Sequence, residues 1–181
     1  MIINPATAVE YGILTDNTAS DVNPKDVQPN GLDFRIMRMF ELSGDAFTIS
    51  AEGKSHRKAQ EIFPRADGYF HLKPNHQYDI STNLDIDLTR YRDQPGFPAY
   101  LALLKMRSTF TRNGFNMTSG VYDTGFKGNI GAVITTPPAQ RSHRVAPNTP
   151  VGQVLIYEAT PAKLYNGQYQ NTTDYWRQNE V

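Results

Sequence analysis

The sequence predicts a mainly β domain, a closed or nearly closed β-barrel or jelly roll with one short helix. Three observations carry this expectation. Apolar residues fall into about ten short stretches separated by turn-forming residues, not into long helical periods. Twelve prolines and thirteen glycines punctuate the chain. Nine Phe and ten Tyr supply the bulky side chains that suit strands. At 181 residues the chain can bury a core of its own. We expect a single domain over 1–160 and a C-terminal arm over 161–181 that closes over a site.

The elements follow in order. Residues 6–13 (ATAVEYGI) suit one or two helical turns, stopped by Gly12 and the polar run to Asn30. Residues 32–36 alternate and read as a strand entered by a Pro-Asn-Gly turn. A second short strand is expected over 46–50. Residues 51–66 are polar, with His56, Arg57 and Lys58 together, and read as an exposed loop. Strands at 69–72, 77–81 and 84–88 are joined by Lys73-Pro74-Asn75 and Thr82-Asn83. Residues 99–104 are continuously apolar, as in a strand buried on both faces. Residues 107–113 lack alternation and end at Gly114, which suits a short helix with a glycine stop. Strands at 115–122, 130–135 and 151–158 complete the set.

Charge and composition exclude several classes. Eighteen basic residues balance eighteen acidic ones, so nothing favours nucleic acid or a membrane surface as partner. Any anion site must come from a local cluster. The absence of cysteine removes disulfides and thiolate zinc sites, and with them the zinc deaminases. No apolar run approaches the length of a spanning helix, and the first residues show no leader pattern. A soluble, cytoplasmic domain is the expectation. The four histidines are too scattered for a metal cage, and His71 and His76, which bracket a turn, read as structural.

Residues 107–128, RSTFTRNGFNMTSGVYDTGFKG, concentrate the chemistry. Arg107, Ser108 and Arg112 can hold a polyanion, with Asp123 placed to do chemistry beside it. The bland readings are a surface arginine pair and an Asx turn at Asp123.

Three segments line up with this stretch: VQPNGLDFRI (27–36), MRSTFTRNGF (106–115) and TSGVYDTGFKGNIGAVI (118–134). With HLKPNHQYDISTNLDIDL (71–88) and TPVGQVLIYEATPAKLYNGQYQN (149–171), they resemble the dUTPase and dCTP deaminase superfamily over most of the chain. The resemblance implies a dUTPase-like distorted β-barrel, assembled as a homotrimer with sites at subunit interfaces. It implies a deoxynucleoside triphosphate, dUTP or dCTP, as substrate and Mg²⁺ carried by its phosphates.

Residue roles follow from the same resemblance. Arg107, Ser108 and Thr109 stand in the family's phosphate-holding motif, Arg112 where deaminase-type members have a second arginine, and Gln153 near the phosphates. Asp123 matches the aspartate that activates water in dUTPases. Phe126 matches the aromatic that packs on deoxyribose, although a core position suits it equally. Ser119, Gly120, Tyr122 and Val133 would line the nucleoside pocket, whose strand backbone reads the base. Asp33 would support the metal site, through water. Tyr165, Gln168 and Tyr169 belong to the tail that in trimeric relatives closes over a neighbour's site.

The sequence also departs from the family. Deaminases use a glutamate ten residues after the motif aspartate, and that position is Val133. Valine moves no protons, so deamination by that route should be lost. The lysine before the tail tyrosine is Gln168, and the glycine-rich C-terminal motif of dUTPases is missing. The leading expectation is therefore conversion of dUTP to dUMP and diphosphate with Mg²⁺. A dCTP deaminase or bifunctional enzyme is the alternative, and a non-catalytic nucleotide binder the second.

Overall fold

Period-two alternation organises most of the chain. The computed structural model describes residues 1–53, 55–90, 98–167 and 169–171. In chain order the elements are α1 (Pro5–Glu10), β1 (Leu14–Asp16), a 3₁₀ turn at Pro24–Asp26, β2 (Leu32–Leu42), β3 (Ala59–Ile62), β4 (Phe70–Leu72) and β5 (Gln77–Asp87). They continue with β6 (Ala99–Met106), α2 (Ser108–Arg112), β7 (Asn116–Thr118), β8 (Lys127–Thr135), β9 (His143–Val145) and β10 (Pro150–Ala159).

The main sheet runs β6-β10-β2-β5-β8-β7, with β1 added to β5 and β3 to β2. All its pairings are antiparallel. The two ends of this order meet. Tyr122, just beyond β7, exchanges both backbone hydrogen bonds with Ala102 of β6, at 2.9 and 3.0 Å. The sheet thereby becomes a nearly closed barrel, as the sequence predicts. Tyr78, Ile80, Leu84, Ile86, Ile130, Ile134, Val154 and Phe34 fill its interior. The small sheet β4-β9 packs beside it.

Several expectations need correction. Residues 46–50 form no strand, and the second strand is instead β3, inside the segment read as an exposed loop. Its pairing with β2 satisfies the backbone where sequence polarity suggested solvent. The strand expected over 115–122 is only Asn116–Thr118, followed by the Tyr122 bridge. β6 buries alternate residues, Tyr100, Ala102 and Leu104, and leaves Leu101 and Leu103 half-buried on its outer side. β1 and β9 have too few residues to show a pattern and were not foreseen. His71 and His76 lie beside Asp67 at 2.8 Å and Glu41 at 3.0 Å.

The Thr82-Asn83 turn is also not a turn. β5 runs through it as one strand, with its register against β8 shifted between Ser81 and Asp85. The bulge frees carbonyls from the ladder, and one side chain collects them. Asn129 donates through Nδ2 to Thr82 O at 2.9 Å, Leu84 O at 3.0 Å and Asp85 Oδ1 at 2.9 Å. Asn83 ties the other side, donating to Asp16 and accepting from Arg35 N at 2.7 Å. Asn129→Ala should remove all three bonds, leave these acceptors only their second donors Asn17 and Thr82, and cost roughly 1–3 kcal/mol. Urea denaturation of the two proteins measures the loss.

Candidate active site

The same alternation that fills the core leaves a second face of β5 and β8 pointing outward. Asp79 on β5 and Asn129, Gly131 and Val133 on β8 share that outer face. They floor a cavity of about 810 Å³. One wall is Thr118 to Asp123 with Phe126. A second comes from the loop between β2 and β3, through Phe47, Ile49, His56 and Arg57. Tyr165, Gly167 and Tyr169 make a third.

Asp123 sits on a tight turn at the rim. Phe126 N donates to Asp123 O at 3.0 Å, and Gly125 takes φ of 91°. That positive φ favours glycine, and a Cβ there would also meet Leu164 Cβ and Tyr165 N at 3.3 Å. The Asp123 side chain is exposed and makes no hydrogen bond to the described residues. The backbone, not an Asx bond, closes the turn. This leaves both carboxylate oxygens for water or ligand.

Tyr122 fixes the floor behind it. Its hydroxyl donates to Gly131 O and accepts from Gly131 N, both at 2.8 Å, replacing a strand partner along that edge of β8. Gly131 is confined from the other side too, since a Cβ would lie 2.5 Å from Ile80 O. Burial pushes the Tyr122 hydroxyl up to about 12, and the Asp79 carboxylate adds to it, against the Gly131 hydrogen bond. A folded value above the unfolded 10 stabilises the fold fully below pH 10. That contribution, roughly 2–3 kcal/mol, should be lost as pH rises from 10 to about 12. Denaturation of wild type and Tyr122→Phe across that window checks it, the variant showing the shallower decline.

The tail lies against this turn. Tyr165 N donates to Thr124 O at 2.8 Å, and Asn171 N to Lys127 O at 2.7 Å. Gln170 Nε2 donates to Gly125 O at 2.9 Å. The Tyr165 ring meets Phe126 edge-on at 5.5 Å, and Phe126 meets Tyr122 at 5.2 Å. The described part of the arm thus rests on its own chain. Gln168 lies outside the described residues.

A second cluster is built by the neighbouring strands β6, β10 and β2. Gln153 stands opposite both Asp33 and Lys105 in register. Its Nε2 donates to Asp33 Oδ1 at 2.9 Å. Arg107, directly after β6, donates to the other Asp33 oxygen. Asp33 is 2% exposed, whereas the Arg107 side chain is 36% exposed. The acid therefore anchors a guanidinium whose outer face reaches solvent. Ser108, Thr109 and Arg112 stand exposed on α2 beside it.

The sequence-predicted residues thus fall into two groups. Asp123, Ser119, Gly120, Tyr122, Phe126, Val133, Tyr165 and Tyr169 line the cavity. Arg107, Asp33 and Gln153 assemble elsewhere, and none of them lines it. Tyr122 bridges to Ala102, five residues before Arg107, which places the groups roughly 16 Å apart along β6. Sequence reasoning missed Asp79, Asn129, His56 and Arg57. Strand parity would have found the first two, since Asp79 and Asn129 share the outward phase. Nothing local marks His56 and Arg57, because only the chain's return to β3 brings their loop over the cavity.

A nearly closed barrel carrying these two clusters has the dUTPase-like architecture that the motifs imply. The family model described as dCTP deaminase-like matches residues 8–159, and the chain belongs to that family. A probable deoxyuridine 5′-triphosphate nucleotidohydrolase from Methanopyrus kandleri is 27% identical over 150 residues, covering 82% of this chain and 90% of that one. Among solved structures, the 2′-deoxycytidine 5′-triphosphate deaminase from Agrobacterium tumefaciens superposes with a TM-score of 0.58 at 13% identity. That match covers 83% of this chain, which spans only 44% of the deaminase chain. The EIAV dUTPase gives a TM-score of 0.42 at 13% identity, over 75% of this chain and 97% of that one. The chain is thus of the dUTPase and dCTP deaminase type, an enzyme class acting on nucleotides.

Proposed function

We propose that the protein hydrolyses a deoxypyrimidine triphosphate to the monophosphate and diphosphate, with dUTP as the first substrate. The observation that carries this reading is Asp123, an exposed carboxylate at the cavity rim with no hydrogen-bond partner among the described residues. An acceptor so placed can orient a water and take its proton as that water attacks the α-phosphorus. Tyr122, Phe126 and Tyr165 would pack on the sugar, leaving the base for the floor of β5 and β8. Val133, at the floor, offers no proton to a base, which sets deamination second.

Arg107, held by Asp33 and Gln153, would take the phosphates together with Ser108, Thr109 and Arg112. Because that cluster stands apart from the cavity of its own chain, each site would combine residues of neighbouring copies, as a homotrimer would allow. The described residues contain no group of three His, Cys, Asp or Glu side chains for an ion. Both Asp33 oxygens are engaged by Arg107 and Gln153. Magnesium therefore fits as part of the substrate, neutralising phosphate charge.

Purified protein given magnesium and dUTP should release diphosphate, and given dCTP it should release no ammonia. Ammonia without diphosphate would replace this reading with deamination, and tight binding without turnover would leave a nucleotide-binding relative.

A further inference from the structure

The cavity floor holds a carboxylate that neither the motifs nor the proposed chemistry uses. Asp79 faces the cavity from β5 and stands directly opposite Val133 of β8 in the antiparallel register. Side chains so paired lie about 5 Å apart on one face. The neighbouring polar groups of the floor hold the fold together. Asn129 holds the β5 bulge, Ser81 Oγ donates to Asn129 Oδ1 at 2.9 Å, and both backbone groups of Gly131 go to Tyr122. Val133 offers no hydrogen bond at all.

With Asp123 marking the reacting phosphorus at the rim, the β5–β8 floor is where the base of a bound nucleotide would lie. A carboxylate there accepts hydrogen bonds and has about four lone-pair sites, so it retains capacity beyond one partner. Cytosine presents an exocyclic amine, a donor, at ring position 4, whereas uracil presents a carbonyl oxygen there. An acceptor-only side chain pairs with the first and repels the second. Arg57 flanks the acid: it lines the same cavity and donates to Gln77 Oε1, two residues along β5, at 2.7 Å.

We infer that Asp79 reads the exocyclic amine of the base and admits dCTP as a substrate for diphosphate release. This rests on the proposed hydrolysis for the orientation of the nucleotide. The reaction is dCTP and water giving dCMP and diphosphate. A bond forms between the water oxygen and the α-phosphorus, and the bond from that phosphorus to the bridging oxygen of the diphosphate breaks. The water proton passes to Asp123, and the amine stays on the ring.

The test compares dCTP with dUTP in two measurements on the full chain. The first is kcat/KM for diphosphate release with magnesium. The second is calorimetric binding of the non-hydrolysable α,β-imido analogues. Wild type should use and bind the cytosine nucleotide as a second substrate beside the uracil one. Asp79→Asn, which adds a donor at constant size, should shift the ratio toward uracil by roughly ten- to hundredfold in both measurements. An unmoved ratio in Asp79→Asn and Asp79→Ala, both with wild-type melting temperature, overturns the inference, as does wild-type turnover and binding of the uracil nucleotide alone. If the binding ratio shifts while no diphosphate appears from either nucleotide, Asp79 keeps its role and the proposed hydrolysis falls.

Discussion

Replacing Asp123 with Asn should lower diphosphate release by about 10²–10⁴-fold, the usual contribution of a positioned general base. The amide keeps the size and position of the side chain but cannot take a proton from water. The fold should not notice, because Asp123 is exposed and bonds to no described side chain. Changes at such positions stay within about 0.5 kcal/mol. Binding of the triphosphate should be retained or improved, since one negative charge next to the phosphates is gone. The signature is therefore a fall in kcat with unchanged melting temperature and unchanged or lower KM. An equal fall in stability and activity would instead assign Asp123 to the turn.

Arg107→Ala should fail in a different way. Removing the guanidinium leaves Asp33, at 2% exposure, with Gln153 as its remaining described partner. A buried acid stripped of its cation costs about 3–5 kcal/mol, and the partial exposure of Arg107 trims this to roughly 2–3 kcal/mol. For a chain of this size that is about 4–12 °C in melting temperature. Affinity for the triphosphate should fall with it, because charge-assisted hydrogen bonds of about 1.5–3 kcal/mol are lost. KM should then rise by roughly ten- to hundredfold. Arg107→Lys keeps the charge but not the planar fork, so it should recover part of the stability and less of the KM.

The separation of the two clusters makes a sharper test of the same residues. If sites combine chains, mixing Asp123→Asn with Arg107→Ala and allowing subunits to exchange should restore part of the activity. Some sites then receive an intact acid from one copy and an intact arginine from another. No recovery after verified exchange would place both groups in a single chain's site.

How far the sequence could be read depends on the range of the forces involved. Long alternating stretches such as 130–135 and 151–158 appear in the fold with edges moved by at most three residues. Arg107, Asp33 and Gln153 each follow a motif, but their mutual pairing is set by the register of adjacent strands, which no motif shows. The Thr82-Asn83 segment was misread because turn-forming residues also suit a bulge, and the Asn129 side chain that stabilises the bulge lies 45 residues from Leu84. β3 was hidden because its pairing with β2 is non-local and its residues are polar. The cavity wall at His56 and Arg57 was illegible for the same reason.

One measurement bears most directly on water attack at the α-phosphorus beside Asp123. Turnover of dUTP with magnesium in ¹⁸O-labelled water, followed by mass analysis of the products, should place the label in dUMP and leave the diphosphate unlabelled. Label in the diphosphate, or release of ammonia from dCTP with no diphosphate formed, would contradict it.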